Sequence, residues 1–248
     1  MCKLIRAEIY RLLHSGGYMR VMLLTALVMA MLPLLTDFSL LDKTLAETME
    51  TFLMCSNMFI IYLPIVIVFF VTAGYMKKTA YYEVMAGNKI GHIIGSKVLV
   101  DGIGIGIVCF VLAIGLEVVV VVKNGTGAVT GLPARVLLFL VICLHVTLMT
   151  VLVGMAIKHF AAAAVLFLRL QFLDMMSAFL VPVLAEKCNL STEITERILR
   201  CTLTQQIMDV FRADISVELV IITVVSFVVE VAFWYGIVYW TMKKRMYR

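Results

Sequence analysis

The chain has little charge. Of its 248 residues, 15% are Asp, Glu, Lys or Arg, where a soluble domain carries about 25%. A soluble fold needs a polar coat, and this composition does not supply one. Nucleotide-hydrolysis signatures are also missing. No G-x-x-x-x-G-K-[ST] run occurs, and the nearest imitation, Gly91-His92-Ile93-Ile94-Gly95-Ser96-Lys97, has the wrong spacing. The chain is therefore not expected to hydrolyse ATP unaided. There is no H-E-x-x-H and no G-x-S-x-G. His14, His92, His145 and His159 form no local ligand set. No metal or cofactor bound by this chain is expected, and no enzyme activity, although distant helices could assemble an intramembrane site. The six cysteines make no C-x-x-C motif. Cys109 and Cys143 fall in apolar runs as packing residues. Cys188 and Cys201 share one polar segment, which allows a disulfide there.

What is present in quantity is apolar sequence. The chain is 63% hydrophobic with a mean hydropathy of +1.06. Its apolar stretches are long enough to cross a hydrocarbon layer, which takes about 20 residues as a helix. The expected fold is all-α: one polytopic transmembrane domain over residues 1–248, with six spans at about 18–36, 52–74, 98–122, 134–157, 160–181 and 217–240. The first run follows basic residues as a signal peptide would. It lacks a small-residue cleavage pattern before the acidic segment, so a retained span is expected.

Ahead of span one, Lys3, Arg6, Arg11 and His14 alternate with Leu4, Ile5, Ile9, Tyr10, Leu12 and Leu13. That spacing fits a short amphipathic helix on the inner membrane surface. The plainer alternative is the water-exposed start of span one. Residues 75–97 read YMKKTAYYEVMAGNKIGHIIGSK. A short helix, a turn at Gly87-Asn88 and a re-entry helix are expected there. Gly102-Ile103-Gly104-Ile105-Gly106 lacks the strand context of a dinucleotide loop and instead suits close helix packing. Residues 182–216 mix charge with recurring apolar positions, as in an amphipathic external helix lying against the membrane.

The net charge of +5 does not indicate nucleic-acid binding, because the cations gather at the ends of apolar runs. With the N-terminus inside, thirteen of the 21 Lys and Arg fall in inner segments and seven in outer ones. Both termini are therefore expected in the cytoplasm. Asp101, Glu117, Arg169, Asp174 and Glu230 fall within the apolar runs, where ionisable groups are costly without water or partners. They read either as a polar pathway or gate, or as intramembrane pairs. An ion channel or secondary transporter would use such groups, but no repeated filter-like loop or inverted repeat accompanies them.

Taken together, these features resemble the permease subunit of ABC-2-type transporters, in character closest to lantibiotic or other peptide-antibiotic export and immunity permeases. The resemblance covers almost the whole chain. It rests on the basic N-terminal helix, the six spans and the turn between spans two and three. That turn reads Glu83-Val84-Met85-Ala86-Gly87-Asn88-Lys89, then Gly95-Ser96-Lys97. The family's Arg after the glycine is absent, with Lys89 beside its place. The resemblance implies a multi-pass protein of the bacterial plasma membrane. Its partners would be two copies of a cytoplasmic ABC ATP-binding protein, which would hold ATP and Mg, and a second identical or related permease chain. Membrane lipid would surround it, and a peptide or lipid-like substrate would be moved. Tyr81, Tyr82, Glu83, Met85, Gly87 and Lys89 would form the surface receiving the ATPase's motion. Lys97 would sit at headgroup level or on the partner's acidic rim. A membrane anchoring or regulatory subunit without transport is the alternative.

Overall fold

The computed structural model describes residues 2–14, 84–104, 107, 131–157, 165, 174–212 and 215–246. All regular structure among them is helical. The elements are α1 (Cys2–His14), α2 (90–104), α3 (Leu132–Ile157), α4 (Asp174–Lys187), α5 (Thr192–Arg200), α6 (Leu203–Arg212) and α7 (Val217–Met246). The expected spans at 18–36 and 52–74 lie outside the described residues.

Among the described residues two helices are long and apolar enough to cross a membrane: Pro133–Ile157 within α3 and Val217–Lys244 within α7. At 1.5 Å per residue, 25 residues reach about 37 Å, more than a hydrocarbon core of about 30 Å. α3 begins where Gly131, at φ +69°, turns the chain and accepts the Arg135 N–H at 3.0 Å. Pro133 falls in the first turn, where its missing N–H has no helical partner to lose. α7 begins at Ser216, whose Oγ accepts the Leu219 N–H at 3.1 Å. Glu218 adds negative charge to that first turn. The helix runs six residues past the expected end at 240, carrying Lys243 and Lys244 with it.

α3 and α7 lie side by side and run in the same direction. His145 and Glu230 touch, and each is the thirteenth residue after the first of its helix. α6 is about 15 Å long and reaches Arg135 of α3 and Ser226 of α7. Both contacts fall N-terminal to the His145–Glu230 level, which a short helix can reach only if the two long helices are parallel. Gly102 of α2 packs on Leu144 and Leu148 of α3; a Cβ there would stand 2.7 Å from Leu148 Cδ2. Close helix approach was the role expected of this glycine.

The region between α3 and α7 corrects two boundaries. Span five was expected to end at 181, before Pro182. α4 instead continues through Pro182 to Lys187. It stops where the backbone chemistry stops it. Asn189 takes a left-handed φ of 51°, Leu190 N–H donates to Ala185 O at 2.9 Å, and Asn189 N–H donates to Glu186 O at 3.2 Å. That is the paired reverse bonding of a Schellman terminus, with Asn in the position glycine usually fills. The external helix expected over 182–216 is the end of α4 plus two separate helices. α5 starts on Ser191, whose Oγ accepts from Ile194 N–H, and the chain breaks at Cys201-Thr202. α6 starts on Thr202, whose Oγ1 accepts from Gln205 N–H at 3.4 Å. Two hydroxyl caps eleven residues apart divide a segment whose apolar periodicity alone reads as one helix.

Candidate functional site

Two groups of polar side chains are buried in this apolar fold. The first joins α1 to α2. Gly87 adopts φ +81°, a conformation that glycine enters without steric cost, and its N–H donates to Val84 O at 2.8 Å. The Lys89 carbonyl then accepts from His92 and Ile93, which starts α2. The turn expected at Gly87-Asn88 is therefore present. Met85 is 70% exposed, and Lys89 is exposed as well. Tyr81, Tyr82 and Glu83, the other expected contacts of this surface, lie outside the described residues.

Two turns into α2, Lys97 Nζ forms a buried ion pair with Glu8 Oε1 of α1. Arg11 Nε donates to Glu8 Oε2 at 2.6 Å, and Arg11 Nη2 stands 3.9 Å from Asp101 Oδ1. Four charges, two of each sign, thus hold the helices together. Glu8, Lys97 and Asp101 are all buried. Lys97 is thus buried against α1 rather than open to a partner's rim. α2 starts at residue 90, so residue 97 is already inside the packed bundle. Withdrawing one partner from such a pair costs about 3–5 kcal/mol, because the other charge stays buried. Asp101 was read as a pathway group or as an intramembrane pair, and it stands in a pair. Glu8 was not singled out. The signal for it was available, since it is the only acidic residue before Asp37.

The second group lies between α3, α6 and α7. His145 Nε2 meets Glu230 Oε2 at 3.0 Å, and the imidazole meets Phe227 edge-on with centroids 5.5 Å apart. One turn above Glu230, Ser226 Oγ accepts from Gln206 Nε2 at 2.9 Å and donates to Thr223 O at 3.0 Å. Gln206 and Thr223 are fully buried. Above them Gln205 Nε2 donates to Asp209 Oδ1 at 2.8 Å, and Arg200 Nε lies 3.8 Å from Asp209 Oδ2. Arg135 Nη1 donates to Val210 O at 2.7 Å. The polar positions of α7 (223, 226 and 230) recur at three and four residues and line one stripe. They lead from the α5–α6 segment to the middle of the two long helices. The expectation for Glu230 was a pathway or a pair, and here it is paired. Its partner, His145, had been noted only as no part of a local metal site.

The remaining expected positions are accounted for differently. Glu117 and Arg169 lie outside the described residues. Asp174 opens α4, and its side chain lies outside what is described. Cys188 and Cys201 are both free thiols, so the disulfide that their shared segment allowed is not formed. Cys188 directly follows α4, while Cys201 Sγ donates to Arg197 O at 3.4 Å within its own turn. α5 stands between the two cysteines. Among the described residues no cluster of three or more His, Cys, Asp or Glu could hold a metal ion. No family model, no curated protein and no solved structure matches this chain.

Proposed function

We propose that the chain is the transmembrane permease subunit of an ATP-driven, ABC-2-type exporter in a bacterial plasma membrane. In this reading it has six spans and both termini in the cytoplasm. It works with two copies of a separate ATP-binding protein and a second permease chain, and it moves a peptide antibiotic, a lipid or another amphipathic molecule. The observation that carries the proposal is mechanical. The exposed turn at Met85–Lys89 runs straight into α2, and α2 is clamped to α1 through Glu8, Arg11, Lys97 and Asp101. A chain without a nucleotide site can use ATP only through contact with another protein. A push on this turn would move two helices rather than a loose loop.

The parallel course of α3 and α7 supports the count of spans. With the basic tail inside, both helices enter from the outside, so the chain must cross back between residues 158 and 216. That is where the span at 160–181 is expected, and it leaves α5 and α6 outside. The alanine variant of Tyr81, Tyr82 and Glu83 together tests the coupling surface. Insertion should be unchanged, while co-purification of a P-loop ATPase and ATP-dependent export should fall together. Wild-type partner affinity and turnover in that variant would refute the proposal.

A secondary transporter is the competing reading, and one observation favours it. His145 and Glu230 pair near the midpoints of two helices that could span a bilayer, the depth at which such transporters bind their coupling ions. Transport by vesicles driven by an imposed pH gradient, without ATP or a partner, would decide for it.

A further inference from the structure

The ion pairs at α1 do more than fix its position, because they sort its charges. Around the helix, Leu4, Glu8 and Arg11 share one arc, and Leu4 and Glu8 are buried on it. The opposite arc carries Lys3, Arg6, Ile9, Tyr10, Leu13 and His14, and all six are exposed. Among the described residues neither Lys3 nor Arg6 has an ion-pair partner. Tyr10 stacks on His14 with ring centroids 3.8 Å apart, which holds both rings along the open side. Glu8 is the sole acid of this helix, and it is turned inward and neutralised by Lys97 and Arg11. The open face therefore carries cations and large apolar or aromatic side chains, and no acid.

We infer that this face binds the anionic phospholipid surface of the leaflet it meets, with Ile9, Tyr10 and Leu13 among the acyl chains and Lys3 and Arg6 on the lipid phosphates. The inference rests on reading the chain as a membrane protein and names the lipid class that its N-terminal helix selects. Charge complementarity identifies the occupant. A face with large apolar side chains and unpaired cations, and with its acid withdrawn, fits a negatively charged bilayer interface. Each cation near such a surface contributes a preference of roughly fivefold. Long Lys and Arg stems also let the charges rise to headgroup level while the apolar residues stay below. The same helix is bound to α2 beside the Gly87 turn. Anionic lipid would thus hold the element that the turn must move.

The test uses the full-length chain in vesicles, with Trp234→Phe, Trp240→Phe and Tyr10→Trp placing a single reporter on α1. Phosphatidylcholine bilayers are doped over the same series of mole fractions with acyl-brominated phosphatidylglycerol or acyl-brominated phosphatidylcholine, and quenching of the reporter is compared. The brominated anionic lipid should act at several-fold lower mole fraction than the zwitterionic one. Lys3→Gln with Arg6→Gln should abolish that difference. Ala7→Glu, which adds an acid to the open face, should reduce it by roughly fivefold. Equal quenching by the two lipids would overturn the inference, since the helix would then sit in the membrane without reading charge. No quenching by either would also overturn it, since protein would then cover the face, whether a second copy or another chain. The measurement needs neither ATP nor a partner, so failure of the ATPase-coupling reading would leave its outcome unchanged.

Discussion

α3 and α7 are two helices of nearly equal apolar character with opposite surroundings. In the most apolar window of α3, 67% of the residues are buried within the protein; in that of α7 the share is 11%. α3 is the more enclosed of the two, with its C-terminal half the most deeply buried. Its Thr147 and Thr150 hydroxyls bond back to Cys143 O and Val146 O of their own helix, at 2.8 and 2.6 Å. α7 turns Thr223, Ser226 and Glu230 toward α3 and α6. It leaves Val228, Val229, Phe233 and Trp240 open. The difference shows what hydropathy measures. It reports whether a helix avoids water, and it is silent on whether protein or lipid replaces that water. The arrangement of the few polar residues carries the missing information. On α7 they define one inward stripe, and the opposite face is left uncovered by the protein.

The contrast can be broken most strongly at the centre of α3. Leu152→Ala opens a cavity in a fully packed site and is expected to cost about 2–5 kcal/mol, while Val228→Ala on the open face of α7 should be near neutral. Steric-trap or denaturant unfolding in detergent micelles measures both, and equal losses would show that α7 is as enclosed as α3. Next in size is the contact between the helices. Glu230→Leu leaves His145 buried without its carboxylate and is expected to cost about 1–3 kcal/mol. His145→Leu combined with Glu230→Leu should recover part of that loss, and a double-mutant cycle with no coupling would remove the pair from the account.

Two glycines sharpen the comparison on a smaller scale. Gly102→Ala drives a methyl toward Leu148 Cδ2. A leucine end can shift, so a loss of about 1 kcal/mol is expected. Gly236→Ala meets nothing within 4 Å and should stabilise α7 slightly through helix propensity. Thermal unfolding of the two variants in the same lipid would check the sign of each. The smallest effect is expected outside the pair, at α5. There Arg197 pairs with Glu193 at 2.8 Å and with Glu218 at 3.0 Å, all largely exposed. Arg197→Ala should change stability by less than about 1 kcal/mol, and a larger loss would mean that α5 braces the start of α7.

Much of this was legible in the sequence because periodicity and length report long helices well. α3 starts two residues before its expected boundary and ends on it, and α7 starts on its own. The Gly87 turn was readable because glycine next to asparagine favours positive φ. What failed to show was set by distance along the chain. The pairing of Lys97 has no local signal, because its partner Glu8 lies 89 residues away. His145 meets Glu230 across 85 residues, a pairing that only the relative course of two helices can specify. The division of 182–216 was missed for a local reason: apolar spacing was weighed, while the capping hydroxyls at Ser191 and Thr202 were not.

The parallel course of α3 and α7 also orders their electric fields. Peptide dipoles in each helix add to about half a positive charge at the start and half a negative charge at the end. Because the two helices point the same way, these partial charges reinforce rather than cancel. Glu218 lies in the first turn of α7, at the positive end, while Lys243 and Lys244 lie beside its negative end, with the Lys244 ammonium 5.1 Å from the Trp240 ring centroid. Arg135, placed by sequence at the positive start of α3, instead sends its guanidinium to a carbonyl in the last turn of α6, where the opposite pole is offered. The α5–α6 segment therefore rests over the positive ends of both long helices, with Glu218 between α5 and the pole of α7.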